Sequence, residues 1–94
     1  MAGTPSNALE ITVHGAVQGV GFRYRCMWKA TDLGLRGFAR NEAQGHVTVH
    51  IEGAPHRVAA FLAWLRSGVQ GASISRMEAR PAGEQGYSDF EILG

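Results

Sequence analysis

Residues 14–25 read HGAVQGVGFRYR, and three glycines, Gly15, Gly19 and Gly21, fall within seven of those positions. Before them, Leu9, Ile11 and Val13 alternate with Glu10, Thr12 and His14, the period of a strand with one buried face. After them, Phe22, Cys26, Ala30 and Leu33 recur at spacings of four, four and three, a helical stripe closed by Gly34 as a C-terminal cap. The stretch therefore joins a strand to a helix through a tight loop, with Arg23 on the first helical turn. Glycine permits positive φ and close backbone approach, so such a loop can curl its N–H groups toward one centre, and the helix N-terminus points the same way. An anion is the natural occupant, and the planar fork of Arg23 suits a tetrahedral oxyanion. The familiar phosphate patterns do not fit: Val20 stands where G-x-x-x-x-G-K needs its second glycine, and Tyr24 where a dinucleotide loop needs its third. A glycine-rich turn can also be purely structural, so the anion reading needs a second residue to support it.

The chain of 94 residues is long enough for one core, 45% of it is apolar and 18% charged, and the net charge is +1. So mild a charge does not advertise nucleic acid or an anionic membrane as partner. A single cysteine, Cys26, excludes an internal disulfide and fits a reducing compartment. Residues 1–8 read as a loose polar tail without the basic and apolar regions of a secretory leader, and the domain is expected to span 9–94. A soluble monomer in the cytoplasm is the expectation.

Residues 36–41 read as a second strand, 42–45 as a turn, and Val47, Val49 and Ile51 as the buried side of a third strand whose outward positions are His46, Thr48, His50 and Glu52. Gly53-Ala54-Pro55 opens a second helix with the stripe Val58, Phe61, Leu62 and Leu65, ended by Ser67-Gly68. A loop over 69–72, a fourth strand over 74–79, a loop over 83–88 and a short strand at Phe90 and Ile92 complete the chain. The order β-α-β-β-α-β plus a small C-terminal strand predicts an α+β, ferredoxin-like split βαβ domain, an antiparallel sheet with two helices on one face. In that plan strands one and two are parallel with strand three between them, so their C-terminal ends share an edge about 10 Å apart. The first ends in the glycine loop and Arg23, the second in Asn41.

These residues also carry a family resemblance. The run from Gly15 through Val17-Gln18-Gly19-Val20-Gly21-Phe22-Arg23 resembles the first signature of acylphosphatases, and Gly37-Phe38-Ala39-Arg40-Asn41 with Gly45 and Val47 resembles the second. The likeness extends through Leu33-Gly34-Leu35 to Asp89-Phe90. Gln44 stands where the family usually has Asp, Thr48 where it usually has Glu, and Phe38 where Trp is common. The resemblance implies the ferredoxin-like fold and hydrolysis of a carboxyl-phosphate bond, with Arg23 and Asn41 as the catalytic pair and no cofactor.

The chemistry is consistent with that pair. An acyl phosphate leaves as a carboxylate, whose conjugate acid has a pKa near ~4, so expulsion needs no general acid. What remains is to hold the phosphoryl oxygens and aim a water, and in a loose transition state positioning and charge stabilisation dominate. The expected site has the N–H groups of Gln18, Gly19, Val20, Gly21, Phe22 and Arg23 with the Arg23 guanidinium around the phosphoryl group, Asn41 orienting the water, and no metal.

Three rival readings are weaker. A cysteine phosphatase would place its thiol before the anion loop, whereas Cys26 follows Arg23 on the buried stripe. A metal site is poorly served by the histidines: His46 and His50 lie about 13 Å apart along one strand, and His14 is expected beside His50 without thiolate or carboxylate help, which leaves solvated sheet histidines. An RNA-binding or regulatory module shares the topology, but the outward side of strand three offers no Phe, Tyr or Trp for base stacking.

Overall fold

Alternation of Leu9, Ile11 and Val13 with polar neighbours builds strand β1 (Ala8–Ala16), followed by helix α1 (Phe22–Asp32), β2 (Arg36–Asn41), β3 (Val47–Glu52), α2 (Pro55–Arg66), β4 (Ser73–Ala82) and β5 (Phe90–Leu93). The structure, a computed structural model, describes residues 8–94. The expected tail therefore lies outside the described residues except for Ala8, which is the first residue of β1, paired with Glu52 and Ala82.

The five strands form one sheet in the order β4-β1-β3-β2-β5. β3 is antiparallel to both β1 and β2, so these two run parallel on either side of it and end at the same edge. β5 adds parallel to β2, which makes the sheet mixed where an antiparallel one was expected. β1 also continues two residues past His14, because after a bulge Gly15 and Ala16 pair with Ile74 and Ser73. A Cβ at position 15 would collide with the main-chain oxygen of Ser73, so this close pairing requires glycine. β4 is longer than the sequence suggests and, among the described residues, pairs only with β1, an edge position that tolerates Pro81 in the ladder.

Phe22, Cys26 and Ala30 of α1 and Val58, Phe61 and Leu65 of α2 are buried. They share one core with Ile11, Val13, Ala39, Val47, Val49 and Ile51, all from the same face of the sheet by the two-residue alternation of strands. Both helices thus cover that face. α1 ends in a reverse turn in which Leu35 donates to the oxygen of Ala30 at 2.8 Å and Gly34 takes a φ of 70°, as the expected cap requires.

The opposite face departs from expectation. Thr48, His50 and Glu52 are buried, with His50 only 2% and Glu52 0% exposed. The segment before β5 folds back over them: the N–H groups of Gln85, Gly86 and Tyr87 donate to the Glu52 carboxylate, which also meets His50 Nε2 at 2.7 Å. The Tyr87 ring lies 5.8 Å from His50 and 5.6 Å from Phe38, and Phe38 stacks on His50 at 5.5 Å. His50 is therefore a packed, hydrogen-bonded residue where a solvated one was expected. His14 does not neighbour His50 either, because the register pairs His50 with Glu10 and places the His14 ring 5.2 Å from His46.

Candidate functional site

The loop between β1 and α1 hangs between two buried anchors, Val17 and Phe22, each 1% exposed. Between them Gly19 and Gly21 have φ of 76° and 75°, whereas no residue other than glycine has positive φ among the described residues. The conformation thus alternates in hand through Gly19, Val20 and Gly21, a backbone pattern of the kind from which anion-binding concavities are built. Space is not what demands glycine here, since a Cβ at either position would meet nothing within 4 Å; the backbone angle is. Gly21 is also the N-cap of α1 and brings no side-chain cap. Among the described residues, none of the N–H groups from Gln18 to Arg23 donates a main-chain hydrogen bond. The loop expected to cradle an anion thus carries a left-handed glycine on either side of Val20 and main-chain donors without main-chain partners.

Arg23 projects from the first turn of α1 toward the end of β5. Its Nη1 donates to the main-chain oxygens of Leu93 at 2.8 Å and Gly94 at 3.1 Å. Among the described residues these are its hydrogen bonds, so Nε and Nη2 keep their donors for a ligand. Asn41 closes β2 opposite Val47. Its Oδ1 is buried and has no hydrogen-bond partner among the described residues, a costly state for a polar atom. Gly94 joins the two residues: it accepts from Arg23, and a Cβ built on it would lie 3.0 Å from the main-chain oxygen of Asn41. The sheet order thus gathers the loop, Arg23 and Asn41 at one edge.

A contact that the sequence did not signal ties this edge together. The Gln18 side chain donates from Nε2 to the main-chain oxygens of Glu42 at 2.7 Å and His46 at 3.0 Å. Partners 24 and 28 positions away leave no periodic trace, and only the Gln-Gly pairing in a strand-to-helix loop could have drawn attention to it. The 42–46 turn is closed in turn by Glu42 donating to the oxygen of His46 at 2.8 Å. The Glu42 carboxyl is held below its usual range by hydrogen bonds from Thr48 and from Arg40, the latter at 2.9 Å. Thr48 and Phe38, two of the unusual residues, are thereby accounted for: one braces Glu42 and the other carries the Arg40 guanidinium 5.0 Å above its ring. Gln44 is exposed on the turn and nothing in the structure explains it.

Cys26 lies on the buried stripe one turn below Arg23, and burial pushes its thiol up to about 12. It is a neutral core group, unsuited to nucleophilic attack. No group of three or more His, Cys, Asp or Glu positioned to hold a metal occurs among the described residues, and no described helix is long and apolar enough to cross a membrane.

Chemically, the edge combines N–H groups without main-chain partners, a guanidinium with Nε and Nη2 uncommitted among the described residues, and a carboxamide oxygen lacking a donor. That set can hold a tetrahedral anion and a polar molecule beside it. Comparison with known proteins points to one family. A family model described as Acylphosphatase matches residues 9–92. A protein named Acylphosphatase from Nocardioides sp. is 40% identical over 90 residues, covering 96% of this chain and 91% of that protein. Among solved structures, an acylphosphatase from Coxiella burnetii superposes with a TM-score of 0.87 at 30% identity, covering 98% of this chain and 99% of the other. That of acylphosphatase from Bacillus subtilis gives 0.86 at 27% identity, covering 93% and 98%.

Proposed function

The chain belongs to the acylphosphatase family, and from that premise we propose how its residues divide the hydrolysis of an acyl phosphate to a carboxylate and inorganic phosphate. The N–H groups from Gln18 to Arg23 and the open side of the Arg23 guanidinium take the phosphoryl oxygens. Oδ1 of Asn41 accepts a hydrogen bond from a water and aims its lone pair at phosphorus. The water oxygen forms a bond to phosphorus as the bond from phosphorus to the carboxyl oxygen breaks; that electron pair leaves with the carboxylate, and the two protons of the water stay on the oxygens of the phosphate product as dihydrogen phosphate. The departing group is a weak base, so no side chain need protonate it, and the donors act mainly by charge stabilisation and alignment.

The observation that carries this reading is the placement of an unpartnered carboxamide oxygen and a half-used guanidinium around one residue, Gly94. An orphaned acceptor costs stability, about 1–3 kcal/mol, and a bound water supplies the missing donor. No step calls for a metal. A single cysteine that is free and buried accords with a reducing compartment, and we read the chain as a cytoplasmic monomer without nucleic-acid or membrane partners.

The test is direct hydrolysis. Purified protein incubated with acetyl phosphate or benzoyl phosphate is expected to release inorganic phosphate at a rate unchanged by a chelator. Absence of turnover on either compound, in protein with a cooperative melt, overturns the reading.

A further inference from the structure

Oδ1 of Asn41 has no hydrogen-bond partner among the described residues to fix its direction, and Asn41 is the last residue of β2, where the ladder gives way to the 42–46 turn. The residues on either side of it are held instead. Neighbours two apart on an extended chain share a face, so Arg40 and Glu42 lie on the side of the sheet away from the helices and Asn41 on the other. Arg40 Nε donates to Glu42 Oε2 at 2.9 Å, and this ion pair spans the main chain directly behind the carboxamide. We infer that Arg40 and Glu42 are positioning residues, a brace across Asn41 that holds its carboxamide oxygen where the attacking water is aimed. The inference rests on the role given to Asn41 above and adds the part of this chain that fixes it.

Glu42 is tied through both its main chain and its side chain. Its N–H donates to the oxygen of His46 at 2.8 Å, and its own oxygen accepts from the Gly45 N–H at 3.0 Å and from Gln18 Nε2 at 2.7 Å. Its carboxylate accepts from Arg40 of β2 and from the Thr48 side chain of β3. Arg40 is held in turn: its guanidinium lies 5.0 Å from the centre of the Phe38 ring, and Phe38 stacks on the buried His50 at 5.5 Å. The chain of contacts therefore runs from the packed part of the outer face, through Phe38 and Arg40, to the residue that follows Asn41.

Folding makes little use of this pair. The Arg40 and Glu42 side chains are 42% and 25% exposed, and an ion pair so open to water contributes little to stability because solvent screens it. Catalysis is far more sensitive to placement, since a shift of about 1 Å in a positioned group lowers a rate by about a hundredfold. A contact too weak to matter for the fold is thus strong enough to matter for the aim of a water. The phosphoryl group is held elsewhere: Arg23 is fixed by the oxygens of Leu93 and Gly94, and the Gln18 tether uses the Glu42 main chain, which a change of the carboxylate leaves in place. Loss of the brace should therefore act on turnover and spare phosphate binding.

Kinetics on acetyl phosphate test this. Glu42→Gln keeps the main-chain bonds and removes the charge, and Arg40→Met keeps the stem and removes the guanidinium. Each is expected to lower kcat about tenfold, with KM and the inhibition constant of inorganic phosphate within about twofold of wild type and the melting temperature within a few degrees. Arg40→Lys, which keeps the charge, is expected to recover most of the loss. In an Asn41→Ala background, Glu42→Gln is expected to lower kcat no further, because a brace has no effect once the group it holds is gone. Full turnover in both single variants, Arg40→Lys no better than Arg40→Met, phosphate inhibition weakened as much as kcat, or a tenfold loss repeated in the Asn41→Ala background overturns the inference while the acyl phosphate reading stands. A wild-type protein inert toward acyl phosphates, or Asn41→Ala with undiminished kcat, overturns the role of Asn41 and the inference with it.

Discussion

The Gln18 carboxamide donates to the main-chain oxygen of Glu42 at 2.7 Å, fastening the loop that precedes α1 to the residue that follows Asn41. The two halves of the candidate site, the 18–23 loop and Asn41, come from separate segments of the chain, and this bond ties one to the other. Gln18→Leu keeps the size of the side chain and removes both bonds. It is expected to lower kcat/KM toward acetyl phosphate about tenfold, with a melting temperature within a few degrees of wild type. Unchanged kinetics would show that the loop holds its shape without the tether.

Arg23→Ala and Asn41→Ala are expected to separate. Loss of the guanidinium removes ground-state and transition-state contacts together, so the inhibition constant of inorganic phosphate should rise and kcat/KM fall by about 10²–10³. Loss of the carboxamide should leave phosphate inhibition nearly unaltered and depress kcat about a hundredfold. Parallel losses of equal size in both variants would contradict the assignment.

Asn41→Ala carries a further expectation that no activity assay reads. Its Oδ1 is buried without a donor, so truncation removes an unsatisfied group at a site where Gly94 already packs against the backbone. The melting temperature of the free protein is expected to hold or rise by a few degrees, about what ~0.5–1 kcal/mol produces in a domain this size. A clear fall would mean that the carboxamide is structurally engaged.

Acid stability should depend on Glu52. Burial alone would raise its pKa, but hydrogen bonds from His50 and from the Gln85 and Tyr87 N–H groups outweigh it and hold the carboxyl below its usual range. A carboxyl depressed in the folded state contributes stability that is fully present above its unfolded pKa and is lost as pH falls through the folded value. The melting temperature is therefore expected to be flat above about pH 5 and to fall below about pH 4. Glu52→Gln should lower stability by about 2 kcal/mol near neutrality and flatten the acid slope. An unchanged slope in the variant would assign acid unfolding to other carboxylates.

Cys26→Ala should retain turnover, and the native protein should react with iodoacetamide only as fast as it opens, since the thiol is buried and pushed up to about 12. Rapid alkylation with loss of activity in a folded protein would return the thiol to the mechanism.

Much of the fold was legible because periodicity is a local property. Leu9, Ile11 and Val13, and then Val47, Val49 and Ile51, mark their strands by alternation, and Phe22, Cys26 and Ala30 mark their helix by spacing. The glycine loop and Arg23 were readable for the same reason, being neighbours in the chain. The burial of Thr48, His50 and Glu52 was not, because alternation says which residues share a face and nothing about what will cover it. Here a distant segment, residues 85–87, supplies three N–H groups to one carboxylate. The neighbour of His14 escaped as well, since strand register follows from pairing and shifts every contact when it slips by a residue.

By itself the sequence determined the elements, their order and the local chemistry of one loop, since each depends on residues within a few positions of one another. Tertiary structure alone decided that Gln18 braces the turn after β2 and that Arg23 commits its Nη1 to the main-chain oxygens of Leu93 and Gly94. Those relations depend on where separate segments meet in space, and a linear pattern of side-chain types does not encode that distance.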